Sequence, residues 1–212
     1  LQQQKSPIKV IAKIENQQGV DNIDEILDHA YGIMVARGDL GIEIPSEKLP
    51  IIQNRIVRKC IESKKPVIIA TQMLHTMIEH PRPTRAEISD IANAIYQRAD
   101  AIMLSGETAY GAYPVEAVNV MTRVANEVED VLETDSSINL ARINNEVTAA
   151  LAKSAVRACS MLPVRAIIVD TLTGRTGRYL SAFRGQIPIY AICYNEHVMR
   201  QLALSYGIEA FY

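Results

Sequence analysis

Gly32-Ile33-Met34-Val35-Ala36-Arg37-Gly38-Asp39 runs from an apolar stretch straight into an arginine, a glycine and a carboxylate. Ile33 to Ala36 is apolar on both faces, the pattern of a parallel strand covered by helices. Charge at the end of such a strand belongs to the rim on which α/β proteins place their chemistry. One unit upstream, Val10-Ile11-Ala12-Lys13-Ile14-Glu15-Asn16 repeats the design with an ammonium and a carboxylate. Residues two apart in a strand face the same side, so Lys13 and Glu15 project into one space.

Outward from this pair, strand-like runs begin near Ile8, Gly32, Pro66 and Ala101, each followed by an amphipathic segment. Residues 20–30, 46–63, 84–97 and 114–132 carry apolar positions at three- and four-residue spacing, as helices do. Thr84 with Glu87 fits a capping box, and Pro114 suits a first helical position. Four βα units in succession imply a parallel sheet. Their spacing matches the repeat of a (β/α)8 TIM barrel, which needs ~250 residues to close, so four units make half of one.

Residues 133–139 are polar and turn-rich and read as a linker. Beyond them the pattern is helix (147–162), strand (166–170), helix (175–183), strand (189–194), helix (196–205) and strand (208–212). That is a second, smaller α/β sandwich, so the domains are expected at 1–133 and 134–212. The first residue is Leu1 and the last run, 208–212, is strand-like. Both ends are expected to be those of a piece of a longer polypeptide, with residues 1–5 resembling a helix tail.

Composition narrows the function classes. Among 212 residues 48% are apolar and 22% charged, with a net charge of −2, and no aromatic-basic cluster marks a nucleic-acid partner. No apolar run approaches the ~18 residues of a membrane span. Cys60, Cys159 and Cys193 lack C-x-x-C spacing and read as reduced thiols of a cytoplasmic protein. No G-x-G-x-x-G follows a strand, so neither domain reads as a dinucleotide fold.

The rim itself carries the chemistry. A neighbouring carboxylate favours the protonated amine, so Lys13 is expected to stay cationic. Glu15 and Asp39, brought together from adjacent strands, would offer two hard oxygen ligands to Mg²⁺. Gly38 lets backbone approach a ligand closely, and N–H groups beginning the next segment would hold a carboxylate or phosphate. From spacing alone, ordinary ion pairs on a strand rim explain these charges equally well. Arg37, Arg82 and Arg85 are expected to be solvated or ion-paired, and Ser105 with Glu107 to cap a turn. A second constellation, Thr171-Leu172-Thr173-Gly174-Arg175-Thr176, lies between a strand and a helix and offers hydroxyls, a cation and free N–H groups to a phosphate. A helix-capping loop in which threonine is the cap accounts for the same residues.

Exact wording decides between these readings. Ile14-Glu15-Asn16, Met34 to Gly41 (MVARGDLG), Ala70-Thr71-Gln72-Met73, Pro81 to Glu87 (PRPTRAE) and Leu104 to Ala109 (LSGETA) occur in this order. The series closely resembles pyruvate kinase across essentially the whole chain. The resemblance implies strands five to eight of the catalytic barrel, then most of the C-terminal regulatory domain. It implies phosphoryl transfer from phosphoenolpyruvate to ADP, with Lys13 stabilising the transition state, Glu15 and Asp39 binding Mg²⁺ (or Mn²⁺), and Gly38, Asp39 and Thr71 contacting phosphoenolpyruvate. Thr71 would also help deliver a proton to the enolate. It further implies a homotetramer, a K⁺ site in the family's first barrel half, and a sugar-phosphate or nucleotide effector at residues 171–176. His75 departs from the family, which usually carries an acid there, and is expected to be exposed and structural.

Two other functions remain to be weighed. A barrel aldolase would use Lys13 as a Schiff-base nucleophile, which Glu15 opposes because such lysines need a depressed pKa. A non-catalytic, metabolite-binding regulatory piece would follow if the chain acted alone, and no kinase turnover is expected of residues 1–212 by themselves.

Overall fold

A computed structural model describes residues 8–134 and 137–212. The first sheet has four parallel strands in sequential order: β1 (Ile11–Ile14), β2 (Gly32–Ala36), β3 (Val67–Ala70) and β4 (Ala101–Met103). Helices follow each strand: α1 (Gln17–Asp21) and α2 (Ile23–His29), then α3 (Arg37–Glu43) and α4 (Leu49–Glu62), then α5 (Arg85–Tyr96), and finally α6 (Gly106–Ala109) and α7 (Pro114–Glu129). The second sheet is also parallel, β5 (Ile167–Thr171), β6 (Ile189–Cys193) and β7 (Ile208–Phe211), with α8 (Glu146–Met161), α9 (Arg175–Ala182) and α10 (Glu196–Leu202).

Local chemistry explains the boundaries. The Asn16 side chain accepts from Gly19 N–H and starts α1. Thr84 and Glu87 form the full reciprocal capping box of α5, and Pro114 opens α7. Gly32 permits β2 to lie against its neighbours, because a Cβ there would stand 2.6 Å from the Pro66 carbonyl oxygen. The single helix expected over 20–30 is two, divided at Asn22, whose backbone leaves the helical region at φ −97°, ψ 18°. The first strand starts at Ile11 rather than near Ile8.

One apolar cluster runs from the first sheet into the second half, while Ala191, Cys193 and Leu202 form a small second one. Ile33, Val35 and Ile69 of the first sheet belong to the same buried cluster as Val156, Tyr179, Leu180 and Phe183 of the second half. Ile138, inside the expected linker, is 5% exposed and packs into that cluster, so the described part of this stretch is anchored; Asp135 and Ser136 lie outside the described residues, as do residues 1–5. Cys60 and Cys193 are buried and Cys159 half-buried, all three as free thiols, and burial pushes the Cys60 thiol well up. Among the described residues, no helix is long and apolar enough to cross a membrane.

A buried ion pair clasps the halves together. Arg184, just after α9, donates to both Asp100 carboxylate oxygens at 2.9 and 2.7 Å, and the two side chains are 2% and 4% exposed. Asp100 also accepts from Val67 N–H and Tyr206 N–H, both at 3.0 Å. It therefore joins β3, the start of β4 and the turn before β7. Arg184 lies against the Tyr206 ring, 4.8 Å from its centroid. Removing one member of such a pair strands the other charge in a dry site. Asp100→Ala is expected to lower the unfolding free energy by ~3–5 kcal/mol in urea denaturation; a loss below about 1 kcal/mol would show that the pair is not dry.

Candidate functional site at the C-terminal ends of the first sheet

Register brings the rim residues to one level. Ile14 pairs with Val35 and Ala36 with Ala70, so Glu15, Arg37 and Thr71 leave adjacent strands side by side. Lys13 touches Glu15 Oε2 through its Nζ and lies 2.8 Å from Asp39 Oδ2. All three side chains are about half exposed. Hydrogen bonds to Asp39 and then Glu15 push the Lys13 ammonium above its ordinary range, so it is cationic at any neutral pH.

Thr71 sits beside this clamp in the left-handed region, φ 70°, and Gln72 follows at φ 56°. Non-glycine residues held there cost free energy and cluster at functional sites. The Thr71 hydroxyl accepts from Gly38 N–H at 2.8 Å, which leaves its proton for another acceptor. Gly38 is the nearest wall, since a Cβ there would stand 3.4 Å from Thr71 Oγ1. Gly38 lies in the first turn of α3, a helix not expected from the sequence, and its N–H is occupied by Thr71 instead of being free for a ligand.

Several residues around the rim position others. Arg37 is ion-paired, donating to Asp90 at 2.5 Å and to the Thr71 carbonyl at 2.7 Å, and so fixes the backbone that carries Thr71. Glu107 is 2% exposed and accepts from Ser105 N–H at 2.8 Å and Leu74 N–H at 3.1 Å, capping its own turn and also tying it to the loop after β3. Ser105 itself supplies no side-chain cap. His75 is exposed. Arg37 is ion-paired and Glu107 caps its turn, as the sequence leads one to expect; their further bonds, from Arg37 to the Thr71 carbonyl and from Leu74 N–H to Glu107, reach 34 and 33 residues along the chain and have no local signal.

The donor set suits a hard divalent ion only in part. Among the described residues no group of three or more His, Cys, Asp or Glu side chains gathers at one point. Glu15 and Asp39, half-exposed and converging on one ammonium, still match an ion that takes one or two carboxylates and completes its shell with water and substrate oxygens. In the second half, the residue capping α9 is Gly174, at φ 74°, and no threonine caps the helix. A Cβ at Gly174 would meet Arg178 Nη1 at 2.7 Å. Thr171 is buried, Leu172, Thr173 and Arg175 are exposed, and Thr176 is half-buried.

Residues 1–118 match the family model described as "Pyruvate kinase, barrel domain", and residues 149–212 match "Pyruvate kinase, alpha/beta domain". This chain belongs to the pyruvate kinase family. The pyruvate kinase of Borreliella burgdorferi is 52% identical over 210 residues, covering 95% of this chain and 42% of that protein. The Bacillus licheniformis enzyme is 49% identical over 205 residues, covering 96% and 35%. A crystal structure of pyruvate kinase from Cryptosporidium parvum superposes with a TM-score of 0.92 at 44% identity, over 96% of this chain and 42% of that one. The chain thus spans about two fifths of the length of these relatives.

Within this pyruvate kinase architecture, Glu87 locks the loop beyond Thr71 by accepting from Thr76 N–H and Thr84 N–H, both at 2.7 Å. Burial alone would raise its carboxyl, but the bonds from Thr76 and Thr84 outweigh that and hold it below the ordinary value. A depressed carboxyl contributes stability that is complete above the unfolded-state value and lost as pH falls through the folded one. Acid unfolding of Glu87→Gln is therefore expected to be less steep below pH about 4.5 than that of the parent; equal steepness would contradict this role.

Proposed function

We propose that the protein, at the full length of its relatives, transfers the phosphoryl group of phosphoenolpyruvate to ADP, giving pyruvate and ATP. The observation that supports this most is the clamp of Lys13 between Glu15 and Asp39, at the end of a parallel sheet where Thr71 and Gly38 stand alongside. In this reading β1 to β4 are strands five to eight of a (β/α)8 barrel, residues 1–133 are its second half, and residues 134–212 belong to the regulatory domain.

In the reaction an ADP phosphate oxygen bonds to the phosphorus as the bond from phosphorus to the enol oxygen breaks. The resulting enolate takes a proton at carbon and becomes pyruvate. Negative charge moves between the phosphoryl and enolate oxygens, and a fixed cation at that place lowers the barrier. Lys13 is that cation, and the carboxylates of Asp39 and Glu15 beside it raise its pKa, so it meets the substrate protonated. Glu15 and Asp39 would hold Mg²⁺ or Mn²⁺, which when bound supplies further positive charge to the phosphoryl oxygens. Thr71 has a hydroxyl proton to donate, and directs it, through water, toward the enolate carbon.

A Schiff-base aldolase loses ground on the same observation, because a lysine raised above its ordinary range is a poor amine nucleophile. Residues 171–176 are the proposed receptor for the phosphate of a sugar-phosphate or nucleotide effector. Cytoplasmic location, K⁺ dependence and a homotetramer complete the proposal.

In a coupled assay of the full-length protein, Lys13→Met is expected to lower turnover by roughly 10³-fold or more while phosphoenolpyruvate still binds. Undiminished turnover would contradict the proposal.

A further inference from the structure

The loop after β3 holds a costly conformation. Thr71 and Gln72 are consecutive non-glycine residues in the left-handed region, at φ 70° and 56°, and such backbone persists only where its surroundings over-determine it. Three bonds from other elements pin this loop. Arg37 donates through Nη2 to the Thr71 carbonyl at 2.7 Å, Glu107 accepts from Leu74 N–H at 3.1 Å, and Glu87 accepts from Thr76 N–H at 2.7 Å. The first acts on the Thr71 peptide itself.

Arg37 can hold that carbonyl because it is itself held. Its side chain is 11% exposed, and Nη1 donates to Asp90 Oδ1 at 2.5 Å, while Nε faces the Ala70 carbonyl and Nη2 the Met73 sulfur, both at 3.4 Å. A guanidinium is a planar fork of fixed donors, so a shift of one partner is carried to the other. Asp90 belongs to α5 and lies three residues beyond Glu87, which places both carboxylates on one face of that helix. The reciprocal capping box of Thr84 and Glu87 fixes the start of α5 in turn. One helix face therefore governs the Thr71 backbone through Arg37 and the far end of the loop through Glu87. Gly38 N–H, donating to Thr71 Oγ1 at 2.8 Å, orients the hydroxyl.

We infer that Asp90, acting through Arg37, is a positioning residue for the protonation half of the reaction, holding the Thr71 hydroxyl toward the enolate carbon. This role rests on the proposed reaction, in which Thr71 directs the proton. In that step the enolate carbon gains a proton from the intervening water, the water takes the hydroxyl proton, and the hydroxyl regains one from solvent. A misplacement of about 1 Å costs such a step roughly 10²-fold. Phosphoryl transfer leans instead on Lys13, which leaves β1, two strands from the β3 that carries Thr71. Loss of Asp90 therefore separates the two halves of the reaction.

Two rates of the full-length protein test this at saturating substrate: exchange of pyruvate methyl protons with D2O, followed by NMR, and ATP formation in the first turnover, followed by rapid quench. Asp90→Ala is expected to slow the exchange about tenfold or more and ATP formation less than about twofold, with the exchange rate of Asp90→Asn between that of Asp90→Ala and the parent's. Arg37→Lys keeps the charge but loses the fork, and should behave as Asp90→Ala does. In a Thr71→Val background Asp90→Ala should slow the exchange no further, since its effect passes through the hydroxyl. Equal slowing of both rates, an undiminished Asp90→Ala effect in the Thr71→Val background, or unchanged exchange would overturn the positioning role. A parent protein that forms no ATP would overturn the proposed reaction itself, whereas a parent active in both assays and indifferent to Asp90 would overturn the positioning role alone.

Discussion

Asp100 is where the two halves of this protein become one structure. Its carboxylate accepts four hydrogen bonds, two from Arg184 and one each from the backbone of Val67 and Tyr206, in a site closed to water. A carboxylate so placed is tolerable because all four bonds to it are made, even though Arg184 Nε is buried without a partner, and the same bonds fix where the second sheet sits beneath the first. The shared apolar core then fills in around it, with Tyr179 and Phe183 packing in the same cluster as Ile33 and Ile69. Cation and carboxylate come from positions 84 residues apart, so the clasp forms only in the folded chain.

The two ends of the first sheet use charge in opposite ways. At the upper rim, one ammonium is matched by two carboxylates that remain half open to water, an arrangement able to exchange partners with a phosphate and a hard cation. At the lower rim, Lys9, Lys64, Lys65, Arg175 and Arg178 line one cleft, and among the described residues no carboxylate lines it with them. The rigid strands between them, apolar and nearly fully buried in β2, keep these environments about 15 Å apart.

Much of this was legible in the residues. Apolar runs ending in charge located the strands, and Thr84 with Glu87 and Pro114 located two helix starts within a residue. Lys13, Glu15 and Asp39 were readable as one set because strand alternation and parallel order dictate their meeting. Short helices were not readable: α3 contains two glycines and α6 is a single turn, and each is tied down by a distant bond, Gly38 N–H to the Thr71 hydroxyl in α3 and Leu74 N–H to the Glu107 carboxylate in α6. The embedding of Arg37 by Asp90 and the Thr71 carbonyl and the Asp100 clasp depend on contacts between distant segments, which no local pattern encodes.

Glu15 and Asp39 are proposed to present a divalent cation to the substrate beside Lys13. Electron paramagnetic resonance of Mn²⁺ bound to the full-length protein in the presence of phosphoenolpyruvate tests it directly. Glu15→Gln and Asp39→Asn are each expected to weaken Mn²⁺ binding by at least about tenfold. Mn²⁺ affinity unchanged in both variants would contradict the account.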